Sequence, residues 1–326
     1  MTDSERTPAV IAPPPFTGAI PHDRPAPDAA TPAVPVASTA QTGAAQTGTA
    51  QTGATQTGAA QTGAWVIGVD VGGSGIKAAP VDVTTGRLCG QRVRLETPQP
   101  ATPEAVASTV ATVVAQVTAQ CPPGALAPSS VGRSDAVVGL TMPAVVRSGV
   151  VMTASNIDPS WIGTDAASQF RSAIGAPTVV VNDADAAGLA EVRFGAGADD
   201  AGVVLMVTLG TGIGSALFSN GVLVPNTELG HVRLADGSDA ERFAASSVRK
   251  AESLSMKKYA KRLQEYFELV ESLLWPDLIL IGGGISKRAD ELLPHIELRT
   301  PLQPATLRNE AGIIGAALLA STKSDD

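Results

Sequence analysis

From Trp65 onward the chain is built of short apolar runs that alternate with helical stripes. WVIGVDVGG is a β-rich run ending in glycines, and PVDVTTGRLCGQRVRLET reads as strand, turn, strand with TTG at the turn. Val106, Val110, Val113, Val114 and Val117 recur at helical spacing and predict a helix over 103–120. DAVVGLTMP predicts a buried strand, residues 161–174 a helix, and TVVVNDADAAGLAEVRFG a strand followed by a helix. VVLMVTLGTGIGSALFSNG predicts a hairpin around glycines, and a long helix follows over 255–274. DLILIGGGIS is a strand entering a glycine turn, and NEAGIIGAALLAS closes the chain as a small-residue helix. Alternation of this kind predicts an α/β protein. Both halves begin alike, with a strand, a Gly-rich turn and a second strand.

Residues 1–64 carry no such pattern. Nine prolines fall within residues 1–35, and QTG begins at Gln41, Gln46, Gln51, Gln56 and Gln61. A five-residue period fits neither strand nor helix, and it offers no side chain large enough to offset the entropy of ordering. The expectation is a disordered, flexible tether.

Composition narrows the function classes. With 44% hydrophobic and 17% charged residues, the 326-residue chain can fill a sizeable core. A net charge of -8 argues against general nucleic-acid binding. Two cysteines, Cys89 and Cys121, exclude a disulfide scaffold and a four-cysteine zinc site. No apolar run is long enough for a membrane span, and the N-terminus lacks a secretory pattern. The expectation is a cytoplasmic protein without membrane or nucleic-acid partners.

Three glycine clusters end apolar β-rich runs: Asp70–Lys77 (DVGGSGIK), Leu209–Ser215 (LGTGIGS) and Gly282–Ser286 (GGGIS). Glycine lets a backbone turn sharply and bring its N–H groups to an anion. Asp70, at a strand end, is placed to hold a hydrated Mg²⁺ beside phosphates. None of the three is a Walker A loop or a dinucleotide fingerprint. One cluster alone is an ordinary turn; three at strand ends, one opening with Asp, point to phosphate binding.

These residues carry a resemblance. DVGGSGIK, TLGTGIGSAL and LIGGGIS resemble the two phosphate loops and the nucleotide-site turn of the actin, hexokinase and heat-shock-chaperone ATPase superfamily. SNIDPSWIG, VVNDADAAGLAE, PNTELGH, LSMKKYAKRLQEYF and LRNEAGIIGAA narrow it to the ROK kinases, which include bacterial glucokinases and sugar-responsive repressors. Among these the chain is most similar to the actinobacterial branch that uses polyphosphate. The resemblance runs from about Trp65 to Ala320. It implies a two-lobed actin/hexokinase-like (ribonuclease-H-like) fold with a central cleft. The lobes would span 65–182 and 183–305, with 306–326 a helix returning to the first. A homodimer is also implied. The stretch after Glu228-Leu-Gly-His231 has no cysteine, so the zinc loop of typical ROK proteins is missing and no zinc is expected. The tail has no helix-turn-helix, which weighs against a repressor.

The resemblance also assigns roles. Asp183 becomes the base for the glucose 6-hydroxyl, although an Asp after a strand is otherwise a helix cap; Asp185 is the better candidate for that cap. Asn156, Asn182, Glu228, His231 and Glu241 complete the sugar set. Without it, His231 reads as a core histidine and Glu241 as solvated surface. Gly72, Gly73, Ser74, Gly75 and Lys77 form the first phosphate loop, Thr211, Gly212 and Gly214 the second, and Gly283 and Gly284 the donor-site turn. Mg²⁺ near Asp70 would screen the donor oxygens.

Arg249, Lys250, Lys257, Lys258, Lys261 and Arg262 lie within fourteen residues, with Glu252 the one acidic residue among them. Tyr259, Leu263, Tyr266, Phe267, Val270 and Leu274 form the apolar stripe of the same helix. A basic helix face is ordinarily just solvated. Because the patch shares a lobe with the phosphate loops and resembles the polyphosphate-using branch, Lys257, Lys258, Lys261 and Arg262 are expected to form a polyphosphate track. ATP stays open as a second donor, because the loops alone suffice for it.

Overall fold

The computed structural model describes residues 65–126, 128–129, 133–155 and 157–323. The QTG repeats and Asn156 lie outside the described residues. Two sheets dominate, and they repeat one topology. The first is built from β1 (Trp65–Gly72), β2 (Gly75–Asp82), β3 (Arg87–Leu88) and β4 (Val93–Leu95). Helix α1 (Pro103–Thr118) and a small hairpin, β5 (Pro128–Ser129) and β6 (Arg133–Ala136), follow. Next come β7 (Val138–Met142), a second small hairpin, β8 (Val146–Arg147) and β9 (Val150–Val151), then α2 (Ala166–Ile174) and β10 (Thr178–Asn182). The sheet order is β10-β7-β1-β2-β3, with β4 also on β2; β1, β7 and β10 are parallel, and β2 runs against β1.

Helix α3 (Asp183–Phe194) leads to the second sheet, made of β11 (Val203–Leu209), β12 (Ile213–Ser219) and β13 (Val222–Val224). Short helices α4 (Ala240–Ala244) and α5 (Ser246–Ala251) precede the long α6 (Met256–Leu274). Then come β14 (Leu278–Gly282), α7 (Ala289–Leu292), β15 (Leu302–Pro304) and α8 (Ala311–Lys323). The order β13-β12-β11-β14-β15 copies the first sheet: an antiparallel hairpin arm, then parallel strands. Strands covered on both faces read as near-continuous apolar runs, which is why VVLMVTL and LILIG show little alternation.

Three helix layers cover the sheets. The valines of α1 pack with Trp161 and Phe170 on one face of the first sheet. Tyr259, Leu263, Tyr266, Phe267 and Val270 of α6 bury the outer face of the second. Between the sheets lie α8, on Val66, Ala79, Val81 and Val137, and α3, beside Ala216 and Phe218. Neighbours on every side explain why α8 is apolar all round and small. A Cβ on Gly68 or Gly139 would collide with the α8 carbonyls of Ile313 or Ala316, and one on Gly315 with the Ala186 carbonyl.

Helix starts follow local chemistry. Thr102 caps α1, with Pro103 in its first turn, and Ser255 caps α6. The helix expected over 161–174 is split. Pro159–Trp161 is a 3-10 turn, Gly163 takes φ 81°, and Asp165 starts α2 by accepting the Ser168 N–H at 2.9 Å. Trp161 is drawn inward instead, its Nε1 donating to the Ala101 carbonyl at 2.9 Å.

Candidate active site

The glycine turns and Asp183 converge at strand ends. β1 and β2 are joined by Gly73 and Ser74 alone, both exposed. β11 and β12 are joined by Gly210, Thr211 and Gly212. A Cβ on Gly214 would come within 2.9 Å of Ala184, so the second loop lies against the first turn of α3. Gly283 has φ 78°, and a Cβ there would meet the Leu209 carbonyl oxygen at 2.6 Å. Glycine is required at 283 both by that conformation and by its approach to the second loop. Gly284 follows in open space.

Asp183 is the first residue of α3, and Asn182 is its cap. Asn182 Oδ1 accepts the N–H groups of Ala184 at 2.8 Å and Asp185 at 3.0 Å, while Nδ2 donates to the Ala144 carbonyl at 3.1 Å. Two expectations change here. The cap is Asn182, not Asp185, because the helix begins one residue after the strand. Asn182, 7% exposed, spends its carbonyl and one amide hydrogen inside the protein, which does not fit a sugar ligand.

The Asp183 carboxyl is raised to about 7: burial is the main cause, the charge of Asp70 adds to it, and Glu228 contributes further. The Ala184 N–H, 2.9 Å from Oδ1, pulls the other way. Asp70 itself is well partnered. Lys77, opposite it on β2, donates Nζ to Oδ2 at 2.9 Å, and Thr141 donates to Oδ1 at 3.1 Å. Lys77 was expected to face phosphate; in the structure its ammonium also pairs with Asp70, which leaves two of its three hydrogens for a donor. The guanidinium of Arg94, which sequence reasoning missed, occupies the first turn. It donates to the Ser74 carbonyl at 2.9 Å and covers Gly75, where a Cβ would meet it at 2.7 Å. Its signal was the cross-strand position of β4 beside β2.

Glu228 precedes, and His231 ends, a 3-10 turn at Leu229–His231. His231 stands between two carboxylates, Nε2 3.9 Å from Glu228 and Nδ1 3.3 Å from Asp239. Asp239 is another residue the sequence reading missed. It caps α4 and orients the imidazole, the second partner that fixes a ring's tautomer. Burial raises the Asp239 carboxyl, but the Arg242 N–H, His231 and Arg233 outweigh it and hold it low. Glu228 is pushed up by burial, against the pull of His231 and with help from Glu241. Glu241, expected on the sugar, accepts the Ile213 N–H at Oε2, 2.8 Å away, and lies against Gly212, so it buttresses the second phosphate loop. Ser247 reinforces that loop, donating to the Thr211 carbonyl at 2.5 Å.

On the first-sheet side, a cavity of about 220 Å³ opens between Gly72, Gly73, Thr97, Ile157, Asp158 and Trp161. The basic helix is divided. Lys257, Lys258 and Lys261 are exposed, but Arg262 is bound to Glu252 at 2.5 Å, donates to the Phe243 carbonyl at 3.0 Å and stacks on the Phe243 ring. Arg262 therefore holds α6 to its neighbours and does not belong with the free lysines.

Two repeated sheets, glycine turns at strand ends and a raised carboxyl at a helix start make a two-lobed α/β fold of the actin and hexokinase class. Residues 66–244 match the ROK family, and the chain belongs to it. It is 49% identical over 252 residues to a polyphosphate glucokinase of Mycobacterium tuberculosis, covering 77% of this chain and 89% of that one. The inorganic polyphosphate/ATP-glucomannokinase of Arthrobacter sp. strain KM superposes with TM-score 0.74 at 52% identity, over 80% of this chain and 99% of that one. A ROK glucokinase from Streptomyces griseus, crystallised with glucose and AMPPNP, shares the fold at TM-score 0.64 and 24% identity, over 79% of this chain and 99% of that one. No helix among the described residues is long and apolar enough to cross a membrane.

Proposed function

We infer that the protein is a polyphosphate-dependent glucokinase, transferring a phosphoryl group from inorganic polyphosphate to the 6-hydroxyl of glucose. The observation that carries the reading is Asp183, a carboxyl raised to about 7 at the start of α3, beside the second glycine loop. The relationship to polyphosphate glucokinases supports it.

In this reading the ionised Asp183 accepts the proton of the 6-hydroxyl as the new O–P bond forms and the donor chain leaves one phosphate shorter. A base is most effective with a pKa near the working pH, and burial beside Asp70 supplies that. Glu228 and His231 accept and donate to sugar hydroxyls. The turns at Gly72–Gly75, Thr211–Gly214 and Gly283–Gly284 offer backbone N–H groups to the donor, with Arg94 added at the first. Positioning and charge neutralisation are most of what phosphoryl transfer asks of a protein.

A divalent cation, Mg²⁺ by analogy with kinases, fits beside Asp70 only through water, because both carboxylate oxygens already accept hydrogen bonds. It would screen the donor oxygens there. Among the described residues no three acidic, His or Cys side chains are grouped for a direct site, so phosphate and water would supply its other ligands. Lys257, Lys258 and Lys261 provide the track for a longer chain, and ATP serves as a second donor through the loops alone. The reading includes a cytoplasmic location and a homodimer.

A coupled assay for glucose 6-phosphate, with glucose and either polyphosphate or ATP, tests the function. Product with polyphosphate is expected; none with either donor overturns the reading.

A further inference from the structure

Asn226 makes contacts that neither the base nor the phosphate loops account for. Its backbone is left-handed, φ 58°, a conformation Asn tolerates. Its N–H donates to Asp185 Oδ2 at 2.8 Å. Its side-chain Oδ1 accepts the Val146 N–H at 3.0 Å, and its Nδ2 donates to the Val146 carbonyl at 3.0 Å. One amide thus copies the pair of hydrogen bonds that a neighbouring strand would exchange with β8.

The positions joined are those that frame the sugar. Glu228 is two residues beyond Asn226. Asp185 is two residues beyond Asp183, in the same first turn of α3. Val146 opens the β8–β9 hairpin, whose base also ties the Val145 N–H to Thr153 Oγ1 at 3.0 Å. From the other side Ser215 of β12 holds the segment, accepting the Leu229 N–H at 3.0 Å. Asp185 is only 3% exposed, and its Oδ1 is buried without a donor. A half-satisfied buried carboxyl is costly, so packing alone does not explain an acid there.

We propose that Asn226, held by Asp185, is a positioning residue that locks the Glu228–His231 segment to the 146–155 segment and so sets the spacing across the acceptor pocket. This rests on the reading of Glu228 and His231 as sugar ligands. Sequence alone gave no hint of it, since Val146 and Asn226 are far apart in the chain and the interaction is backbone to side chain.

Asn226→Gly isolates the role. Glycine accepts the left-handed backbone and keeps the N–H to Asp185, but deletes the amide that grips Val146. The Michaelis constant for glucose should rise at least about tenfold, as expected when an acceptor is held loosely. That for polyphosphate should stay within about twofold. Asp185→Asn, which keeps an acceptor oxygen for the Asn226 N–H, should retain most of the wild-type behaviour, and Asp185→Ala should resemble Asn226→Gly. If Asn226→Gly does not fold, Asn226→Asp, which keeps only the bond from the Val146 N–H, should show a smaller shift of the same kind. Glu228→Gln is the control for the underlying site. If it raises the glucose constant and Asn226→Gly does not, the clasp is overturned and the sugar site stands. If Glu228→Gln leaves the constant unchanged, the sugar site falls and the clasp with it. Equal weakening for sugar and polyphosphate in Asn226→Gly, tracking a lower melting temperature, also overturns the proposal.

Discussion

Asp70 holds the Lys77 ammonium 2.9 Å from its Oδ2, and its negative charge adds to burial in raising the Asp183 carboxyl to about 7. A base must be ionised to work, so kcat/KM for glucose should fall as pH drops through about 7. Asp70→Asn removes one of the two opposing charges. The acid limb of its residual activity should move to lower pH. A limb that stays in place would separate Asp70 from the titration of the base.

Asp183→Asn should cut turnover by ~10²–10⁴, the usual contribution of a general base, with glucose binding changed by less than about tenfold. Stability should move the other way. The folded state raises this carboxyl from 3.8 to about 7, so it binds the proton more tightly than the unfolded chain does. The resulting stabilisation is complete below 3.8 and is lost as pH rises to about 7. The neutral amide escapes that loss. Its melting temperature relative to wild type should therefore climb between pH 5 and pH 8. A constant difference across that range would contradict the raised carboxyl.

The basic helix should respond unevenly to alanine. Lys258→Ala and Lys261→Ala should raise the Michaelis constant for long polyphosphate but not for ATP. The effect should fade with salt, since exposed charges are screened over about 8 Å at physiological ionic strength. Arg262→Ala loses its Glu252 and Phe243 contacts instead, and should lower the melting temperature while affecting both donors alike. Donor kinetics at two salt concentrations distinguish the two behaviours.

Glu191 lies fully buried on α3 and accepts from the N–H groups of Ala196, Thr306 and Leu307 and from the Thr306 hydroxyl. Glu191→Ala strands several donors at the entry to α8. A loss of about 3 kcal/mol in unfolding free energy is expected, read from denaturant midpoints. A change under about 0.5 kcal/mol would mean that water replaces the carboxylate freely.

The strands and long helices were legible because each is a dense apolar run or stripe: α1, α6, β11 and β14 lie within two residues of their predicted spans. The repeated hairpin of the two halves was also legible, from the glycines at Gly72–Gly75 and Gly210–Gly214. Short helices α4 and α5 were not, since AERFA and SSVRKA are too brief to show a period. Side-chain allegiance was the least legible. Lys77, Arg262 and Asn182 have the right chemistry for phosphate or sugar, but each is claimed by a partner that only the fold brings near. Asp239 and Arg94 were missed for the same reason in reverse.

The close seating of α8 on Gly68 and Gly139 bears on how the molecule is made. During translation β1 leaves the ribosome more than two hundred residues ahead of α8, the helix that covers its face against Val66 and Ala79. Until α8 follows, a nascent chain carries a finished set of strands with one bare apolar side. Contacts so distant in sequence form slowly, and exposed apolar surface invites aggregation while they do. Synthesis that stalls before residue 311 would leave the first lobe open, so a truncated product should be captured by chaperones or degraded and not accumulate as a half-enzyme.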